Sequence, residues 1–302
     1  MIILKSKYSL FKSSLALATI AAGLTLAAPA LAQEDDGSAE SEPKVTEFER
    51  AFEEQTRAPA VETETELNVE VVAEGLDVVW GMVEFDENRI LVTQRDTGEL
   101  LLVNIEDGTV SDPIAGTPEI NNEGQGGLLD LALAPDFEDS RMVYMTFAQD
   151  VEDGTLTAVA RGVLSEDESE LEDLEVIFQA EPGYDGTLHY GGRIIFNEEG
   201  NLFVTTGERS DDPIRERAQD LDAYLGKVIH ITPEGEPVDT NPFIDDEEAL
   251  DGIYTYGHRN IQGIDFHPET NDLWIVEFGP QAGDELNIIE PGNNYGWPVV
   301  SY

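Results

Sequence analysis

Short apolar runs recur in pairs along residues 67–302, and this repeat constrains the fold more than any other feature of the sequence. Each copy consists of an apolar run, a turn containing an acidic residue or proline, and a β-branched or aromatic run. The paired runs are 83–85 with 90–93, 129–133 with 142–147, 194–196 with 202–205, and 264–266 with 273–276. Runs of this length separated by turn residues predict β-hairpins.

The hairpins recur at a period that favours one all-β architecture over another. Phe85, Ala134, Phe196 and Phe266 occupy equivalent positions, at steps of 49, 62 and 70 residues, with hardly any helical periodicity between them. A β-sandwich would explain the hairpins but not the period. The period is typical of a β-propeller, in which each blade buries its faces against its neighbours. About four to five blades can be identified, and we expect the functional residues on loops at one end of the central channel.

The first 32 residues have the composition of an export signal. Three lysines precede an apolar run at 15–26, and an Ala-Leu-Ala sequence ends at Ala32. A basic start, a short apolar segment and this cleavage pattern predict a signal peptide cut after Ala32, with no membrane insertion afterwards. A buried N-terminal helix is the alternative, but it would lack the polar stripe of a soluble helix. We therefore expect a periplasmic or secreted protein.

Residues 33–66 are acidic, rich in Pro, Ala, Ser and Thr, and poor in apolar side chains. Such a segment cannot bury enough surface to offset the entropy of ordering, so it is interpreted as a flexible leader. No composition break follows in residues 67–302, which predicts one large domain.

The strong acidity of the chain excludes several partners. The formal net charge is −48, from 64 acidic and 16 basic residues. Nucleic acids and anionic membrane surfaces are excluded, because binding them requires clustered cations. A solvated surface suited to a saline medium is favoured over an acidic binding face, since salt screens self-repulsion. The chain contains no cysteine, which removes disulfides, thiol nucleophiles and thiolate metal sites.

The last fifty residues are unusually dense in glycine, proline, carboxamides and carboxylates, which indicates a site rather than an ordinary core. The sequence motifs in this stretch are Gly257-His258-Arg259-Asn260, Glu277-Phe278-Gly279-Pro280, Asp284-Glu285 and Gly292-Asn293-Asn294-Tyr295-Gly296-Trp297-Pro298. Further motifs precede the last fifty residues, including Gln55-Thr56-Arg57-Ala58-Pro59, Gly124-Gln125-Gly126-Gly127, His189-Tyr190-Gly191-Gly192-Arg193 and Gly226-Lys227.

From about residue 55 to the end, the order and spacing of these motifs resemble those of the glucose/sorbosone dehydrogenase family. That family includes the soluble pyrroloquinoline-quinone-dependent aldose sugar dehydrogenases. The resemblance implies a six-bladed β-propeller, here incomplete over residues 67–302. It also implies an enzyme that uses pyrroloquinoline quinone and Ca²⁺ and oxidises aldoses at C1 to lactones, with electrons passing to a soluble or membrane acceptor.

Two residues are the catalytic candidates. A lone histidine is more often structural, but by the resemblance His189 is the general base that takes the proton of the sugar C1 hydroxyl. Glu208 stands where the family places the carboxylate that fixes the imidazole tautomer. Some relatives have Asp there, so the side chain is one methylene longer in this chain.

The resemblance assigns cofactor contacts to Arg259 and Asn260, joined by Gln125 from the second blade. Pyrroloquinoline quinone carries three carboxylates, and a guanidinium fork binds carboxylates better than an ammonium does. In isolation, a surface salt bridge would be the ordinary explanation of Arg259.

Two calcium sites are implied by the resemblance. The carbonyls of Gly279 and Pro280 would hold the ion that touches the cofactor, since backbone carbonyls are good ligands for hard cations. Glu285 and the Tyr295 carbonyl match a second, structural site whose remaining ligands would lie past Tyr302. Phe278 replaces the histidine of many relatives, which changes the pocket wall and not the carbonyls.

Two other functions remain open at this point. One is a calcium-stabilised propeller that binds glycans or proteins without catalysis, and the other is a lactonase-type propeller with carboxylates converging on one calcium ion. Motifs for serine hydrolases, zinc proteases, phosphate loops and dinucleotide sites are absent from the sequence. Relatives continue beyond the position of Tyr302, so we expect a partial chain that lacks at least one blade.

Overall fold

Strands dominate the structure, a computed structural model that describes Thr65 and residues 68–280 and 283–300. The predicted signal peptide (1–32) and all of the predicted leader (33–66) except Thr65 lie outside the described residues. Contacts divide the chain into the units Met1–Val71 and Val72–Tyr302, and every sheet belongs to the second unit. Among the described residues, no helix has the length and apolar character needed to cross a membrane.

The strands of the described residues form four antiparallel sheets, each from consecutive segments of chain. Sheet I comprises β1 (Val79–Glu84), β2 (Arg89–Gln94) and β3 (Glu99–Asn104). Sheet II comprises β4 (Leu128–Leu133), β5 (Met142–Val151), β6 (Gly154–Leu164) and β7 (Leu171–Gln179). Sheet III comprises β8 (Gly191–Phe196), β9 (Leu202–Thr206), β10 (Lys227–Ile231) and β11 (Ile253–Tyr256). Sheet IV comprises β12 (Ile261–Phe266), β13 (Leu273–Glu277) and β14 (Glu285–Ile289).

Short helical turns interrupt the loops of this region. They are α1 (Phe137–Ser140), α2 (Asp212–Arg215) and a 3₁₀ helix (Glu216–Gln219).

The four predicted hairpins are confirmed by the pairing of adjacent strands. In sheet I, β1 pairs with β2, and the same antiparallel pairing joins β4 to β5, β8 to β9 and β12 to β13. The first strands of successive sheets also contact one another, β1 with β4, β4 with β8 and β8 with β12. These strands therefore stand innermost around a common centre, so the sheets are four blades of an incomplete β-propeller.

The core lies between the blades. In β9, Leu202 and Val204 pack towards blade II, whereas Phe203 packs with Ile261 of blade IV. Successive side chains of a strand point to opposite faces, and here both faces are covered by neighbouring blades. Central strands such as β9 and β10 are therefore buried at every position. Adjacent positions such as Leu202 and Phe203, or Val228 and Ile229, are accordingly both apolar.

Candidate active site

Residues at the beginnings of the innermost strands surround a cavity of about 200 Å³. All four blades contribute to its wall. The residues that line it include Trp80 of blade I, Gln125 before β4, Tyr190 before β8, and Asn260, Gln262 and Phe278 of blade IV. The cavity thus lies at one end of the propeller centre, where the sequence predicts the functional loops.

His189 and Glu208 form a buried pair beside this cavity. The imidazole Nδ1 lies 2.8 Å from Glu208 Oε2, and the two residues are 6% and 0% exposed. A carboxylate only accepts hydrogen bonds, so Nδ1 carries the proton and the lone pair of the ring is left on Nε2. The predicted carboxylate partner of His189 is therefore within hydrogen-bonding distance, and the imidazole is held in the tautomer that a general base requires.

The backbone of His189 is held in an uncommon conformation. Its φ is 49°, in the left-handed region that side chains other than glycine seldom adopt. The Gln125 side chain accepts a hydrogen bond from the His189 N–H at 2.8 Å. Gln125, predicted as a cofactor contact, therefore also positions the histidine.

Arg209, which the sequence analysis did not single out, supports this loop from below. It is 1% exposed, and its guanidinium donates to the carbonyls of Leu188, Thr155 and Gly186 and to the Thr155 hydroxyl. The guanidinium also lies 4.0 Å from the centre of the Tyr190 ring. Because Leu188 and Tyr190 flank His189, Arg209 fixes both neighbours of the candidate base.

Asn260 lines the cavity from the loop before β12, and Arg259, the preceding residue, lines an adjacent indentation that shares Phe278 with it. Asn260 Oδ1 accepts the Gly191 N–H at 3.1 Å, which joins blade IV to blade III. Arg259 Nη1 donates to the carbonyls of Phe278 at 2.9 Å and Gly279 at 3.0 Å. Its Nε is buried and has no hydrogen-bond partner in the part of the chain that the structure describes. An unpartnered buried donor on a cation fits an anionic ligand with acceptor oxygens.

A second histidine–glutamate pair lies one blade further on. His258 Nδ1 is 2.9 Å from Glu277 Oε2, and His258 Nε2 is 2.9 Å from the Thr255 hydroxyl, so both ring nitrogens have partners. Glu277 Oε1 accepts the Arg259 N–H. This pair therefore positions Arg259 and leaves no ring nitrogen for a substrate.

The contact between His258 and Glu277 was not predicted, although the sequence carries one signal for it. His189 and Glu208 are 19 residues apart, and so are His258 and Glu277.

Beneath the cavity, charged side chains of the innermost strands meet. Arg193 Nη1 lies 3.4 Å from Asp130 Oδ1, and the guanidinium lies 4.0 Å from the centre of the Trp80 ring. Burial raises the pKa of the Asp130 carboxyl, while Arg193 acts in the opposite direction. Arg193 therefore places a fixed cation behind the tryptophan that lines the cavity.

The residues predicted to bind calcium are only partly brought together. Gly279, Pro280 and Glu285 line one shallow indentation with Arg259, whereas Tyr295 stacks on His258 with ring centres 4.7 Å apart. No group of three or more His, Asp or Glu side chains among the described residues converges as a metal site. The Gly279 carbonyl already accepts a guanidinium, and a calcium ion there would face that charge. In this arrangement the described residues do not fit the ion.

Comparison with known proteins identifies the family. The model of the glucose / sorbosone dehydrogenase family matches residues 76–302. The aldose sugar dehydrogenase YliI of Escherichia coli (strain K12) is 41% identical over 238 residues, which cover 78% of this chain and 63% of that protein. The quinoprotein glucose dehydrogenase B of Acinetobacter calcoaceticus is 32% identical over 248 residues, 74% of this chain and 50% of that protein. The chain thus spans less than two thirds of the length of either relative.

The fold agrees with a solved structure of the same kind. The PQQ-bound form of aldose sugar dehydrogenase from Streptomyces coelicolor superposes with a TM-score of 0.68 at 34% identity, covering 77% of this chain and 66% of that one. The match of the family model and the blade architecture therefore agree with each other. The chain belongs to the glucose/sorbosone dehydrogenase family.

Proposed function

We propose that this protein is a quinoprotein that oxidises aldose sugars at the C1 hydroxyl to lactones, with pyrroloquinoline quinone as cofactor. The observation that carries the proposal is the His189–Glu208 pair, buried beside a cavity to which four blades contribute. Relatives of the chain bear the names aldose sugar dehydrogenase and quinoprotein glucose dehydrogenase. We further propose an exported protein that passes electrons to a soluble or membrane acceptor, on the basis of the signal at residues 1–32.

The cofactor would be held by residues on the loops before β4 and β12. The unpartnered Nε of Arg259 supplies a cationic donor, and Gln125 and Asn260 supply amide groups on the cavity wall. Pyrroloquinoline quinone held there would supply the acceptor for the hydride from the sugar C1 carbon. Cation and amide donors suit its carboxylates and carbonyl oxygens.

His189 accepts the proton of the sugar hydroxyl. Nε2 carries the free lone pair, so it takes the proton from the C1 hydroxyl as the C1–H bond breaks and the C1=O bond forms. The imidazolium that results is stabilised by the Glu208 carboxylate at Nδ1. Glu208 is held in this orientation because it also accepts the Ser210 N–H and the Trp297 Nε1–H.

Calcium remains a prediction of the sequence, and no step is assigned to it. It is tested by comparing cofactor binding in Ca²⁺ and in chelator.

The test of the function is reconstitution of the purified protein with pyrroloquinoline quinone and Ca²⁺. We expect reduction of an artificial dye by one or more members of an aldose panel, without NAD. His189→Ala should lower turnover by about two to four orders of magnitude, the usual effect of removing a positioned general base. The quinone dissociation constant, measured by quenching of tryptophan fluorescence, should change little.

His267→Ala provides the matched control, because His267 lies on the turn after β12 and contacts Trp274 rather than the cavity. That variant should retain full turnover. Quinone binding with no turnover on any aldose would instead favour the non-catalytic binding module. Near-normal turnover in His189→Ala would remove the histidine from the mechanism.

A further inference from the structure

Trp297 lies in the turn after β14 and contacts the carboxylate of the His189–Glu208 pair. Its indole Nε1 donates to Glu208 Oε1 at 3.1 Å. The other oxygen, Oε2, faces His189 Nδ1 at 2.8 Å and also accepts the Ser210 N–H. Both oxygens of this buried carboxylate thus have a hydrogen-bond partner, and among the described residues the indole is the partner of Oε1.

The same indole contacts the cation assigned to the cofactor. The guanidinium carbon of Arg259 lies 5.3 Å from the centre of the Trp297 ring, within the range of a cation–π contact. Glu208 belongs to blade III and Arg259 to the loop of blade IV. One side chain therefore contacts the acid of the proton-transfer pair and the cation of the cofactor site, across a blade boundary.

The backbone of Trp297 is anchored to the same two regions. Its N–H donates to the Gly257 carbonyl at 2.9 Å, and its carbonyl accepts Gln219 Nε2 at 2.6 Å. Gly257 opens the Gly257-His258-Arg259-Asn260 segment, and Gln219 ends the 3₁₀ helix of blade III. The indole is consequently fixed in place.

We propose that Trp297 is a positioning residue of the sugar dehydrogenase site, a role that rests on the proposed function. By donating to Glu208, the indole keeps that carboxylate aimed at His189 Nδ1, which preserves the tautomer with a free Nε2. By its ring face, it holds Arg259 where the cofactor binds. The first contact acts on proton transfer and the second on cofactor affinity, so two substitutions can separate them.

Trp297→Phe removes the N–H donor and retains an aromatic face for Arg259. We expect kcat to fall by about 10-fold to 100-fold, the effect of losing one hydrogen bond to a charged group, with the quinone dissociation constant within about threefold of the wild-type value. Trp297→Leu removes both contacts, so it should lower kcat and in addition bind the quinone more weakly than Trp297→Phe does. Trp274→Phe is the matched control, because the Trp274 indole N–H is buried without a partner in the described residues and its removal breaks no hydrogen bond.

A spectroscopic measurement separates positioning from a merely structural role. In ¹⁵N NMR of the histidine rings without cofactor, wild type and Trp274→Phe should show His189 protonated at Nδ1, whereas Trp297→Phe should show a mixture of tautomers. An unchanged tautomer together with wild-type kcat in Trp297→Phe would overturn the proposal. If the wild-type protein oxidises no aldose, the proposed function fails, and the tautomer and quinone affinity still decide the role of Trp297.

If Trp297→Phe does not fold, the hydrogen bond can be tested at its acceptor, Glu208. Glu208→Gln replaces the charged acceptor by a neutral one, so the Trp297 Nε1–H resonance should move upfield. A resonance that does not move in the folded Glu208→Gln protein would contradict the contact.

Discussion

Lys227 is the single lysine of residues 45–302, and it is completely buried. Its ammonium donates to three carbonyls, those of Arg217 at 3.0 Å, Ala218 at 3.1 Å and Leu225 at 2.7 Å. The Ala218 carbonyl also accepts the Gly257 N–H, so the ammonium anchors the loop that leads to the site. The Arg217 carbonyl likewise accepts the Asp220 N–H, so among the three the Lys227 side chain is the donor that the Leu225 carbonyl depends on most.

Burial lowers the pKa of Lys227 to about 7 from its ordinary value of 10.5. Between these values the unfolded chain binds the proton and the folded protein releases it. The free energy of unfolding should therefore rise with pH from about 7 to 9, by at most about 1.4 kcal/mol per pH unit. The measurement is urea denaturation at several pH values in this window. It stops below pH 10, because burial raises the pKa of Tyr224 and Tyr254 and their ionisation reverses the trend.

Lys227→Met should abolish this rise and destabilise the protein at pH 9, since it removes the hydrogen bond to the Leu225 carbonyl and weakens the anchoring of Arg217 and Ala218. Asp86→Asn should keep the rise, because the pKa of Asp86 is lowered and its carboxyl stays ionised throughout the window. A Lys227→Met variant with the wild-type slope would assign the pH dependence to another group.

At the scale of elements, the ends of adjacent strands approach so closely that certain positions admit only glycine. Gly207 follows β9, and a Cβ there would lie 2.1 Å from the His189 carbonyl and 3.0 Å from Asn260 Oδ1. The absence of a side chain therefore lets the Glu208 strand end pass beside the His189 loop.

Gly207→Ala should displace His189 from Glu208. We expect a loss of unfolding free energy of about 1–3 kcal/mol from the overpacking, together with loss of the Nδ1-protonated tautomer of His189 in ¹⁵N NMR. Gly200→Ala is the control: it also replaces a glycine in blade III, but its Cβ meets nothing within 4 Å. Its cost should come from the positive φ alone, and the pair should stay intact. If the His189–Glu208 contact persists in Gly207→Ala, the loop that carries His189 can shift to accommodate the added methyl group.

The inner hairpins could be predicted from the sequence, whereas several outer strands could not. The runs that became β4 and β9 carry apolar side chains on both faces because blades cover them from both sides. β7 reads Leu-Glu-Asp-Leu-Glu-Val-Ile-Phe-Gln and is exposed at five consecutive positions, so it has little apolar pattern. Edge strands of this kind are specified by pairing with their neighbour, here β6, rather than by their own composition.

The candidate site shows the same division. The resemblance to the family predicted His189 with Glu208, and the structure places their side chains 2.8 Å apart, while their catalytic roles stay a prediction. Trp297 was not predicted, because its partner Glu208 is 89 residues away in sequence and no local pattern marks such a contact. Arg209 was missed for a related reason: an arginine in an acidic chain suggests a surface ion pair, and only the structure reveals that its partners are buried carbonyls.

At the scale of the whole molecule, the net charge of −48 creates self-repulsion that salt should relieve. The screening length falls from about 10 Å at 0.1 M to about 3 Å at 1 M ionic strength. We expect the melting temperature to rise by on the order of 5 °C over this range, which corresponds to about 1–2 kcal/mol for a domain of this size. Differential scanning calorimetry in NaCl and in KCl measures it, and both salts should act alike. A melting temperature that is constant or falls would show that the acidic residues are already spaced to avoid repulsion.

The cavity wall takes residues from all four blades, from Trp80 to Phe278. A ligand bound there contacts segments nearly 200 residues apart in sequence, and it loses its site when any one blade opens. Its binding energy therefore couples the four blades: at a ligand concentration 100 times the dissociation constant, binding adds about 2.7 kcal/mol to the free energy of opening any contributing blade. Occupancy would make the four blades melt as one unit.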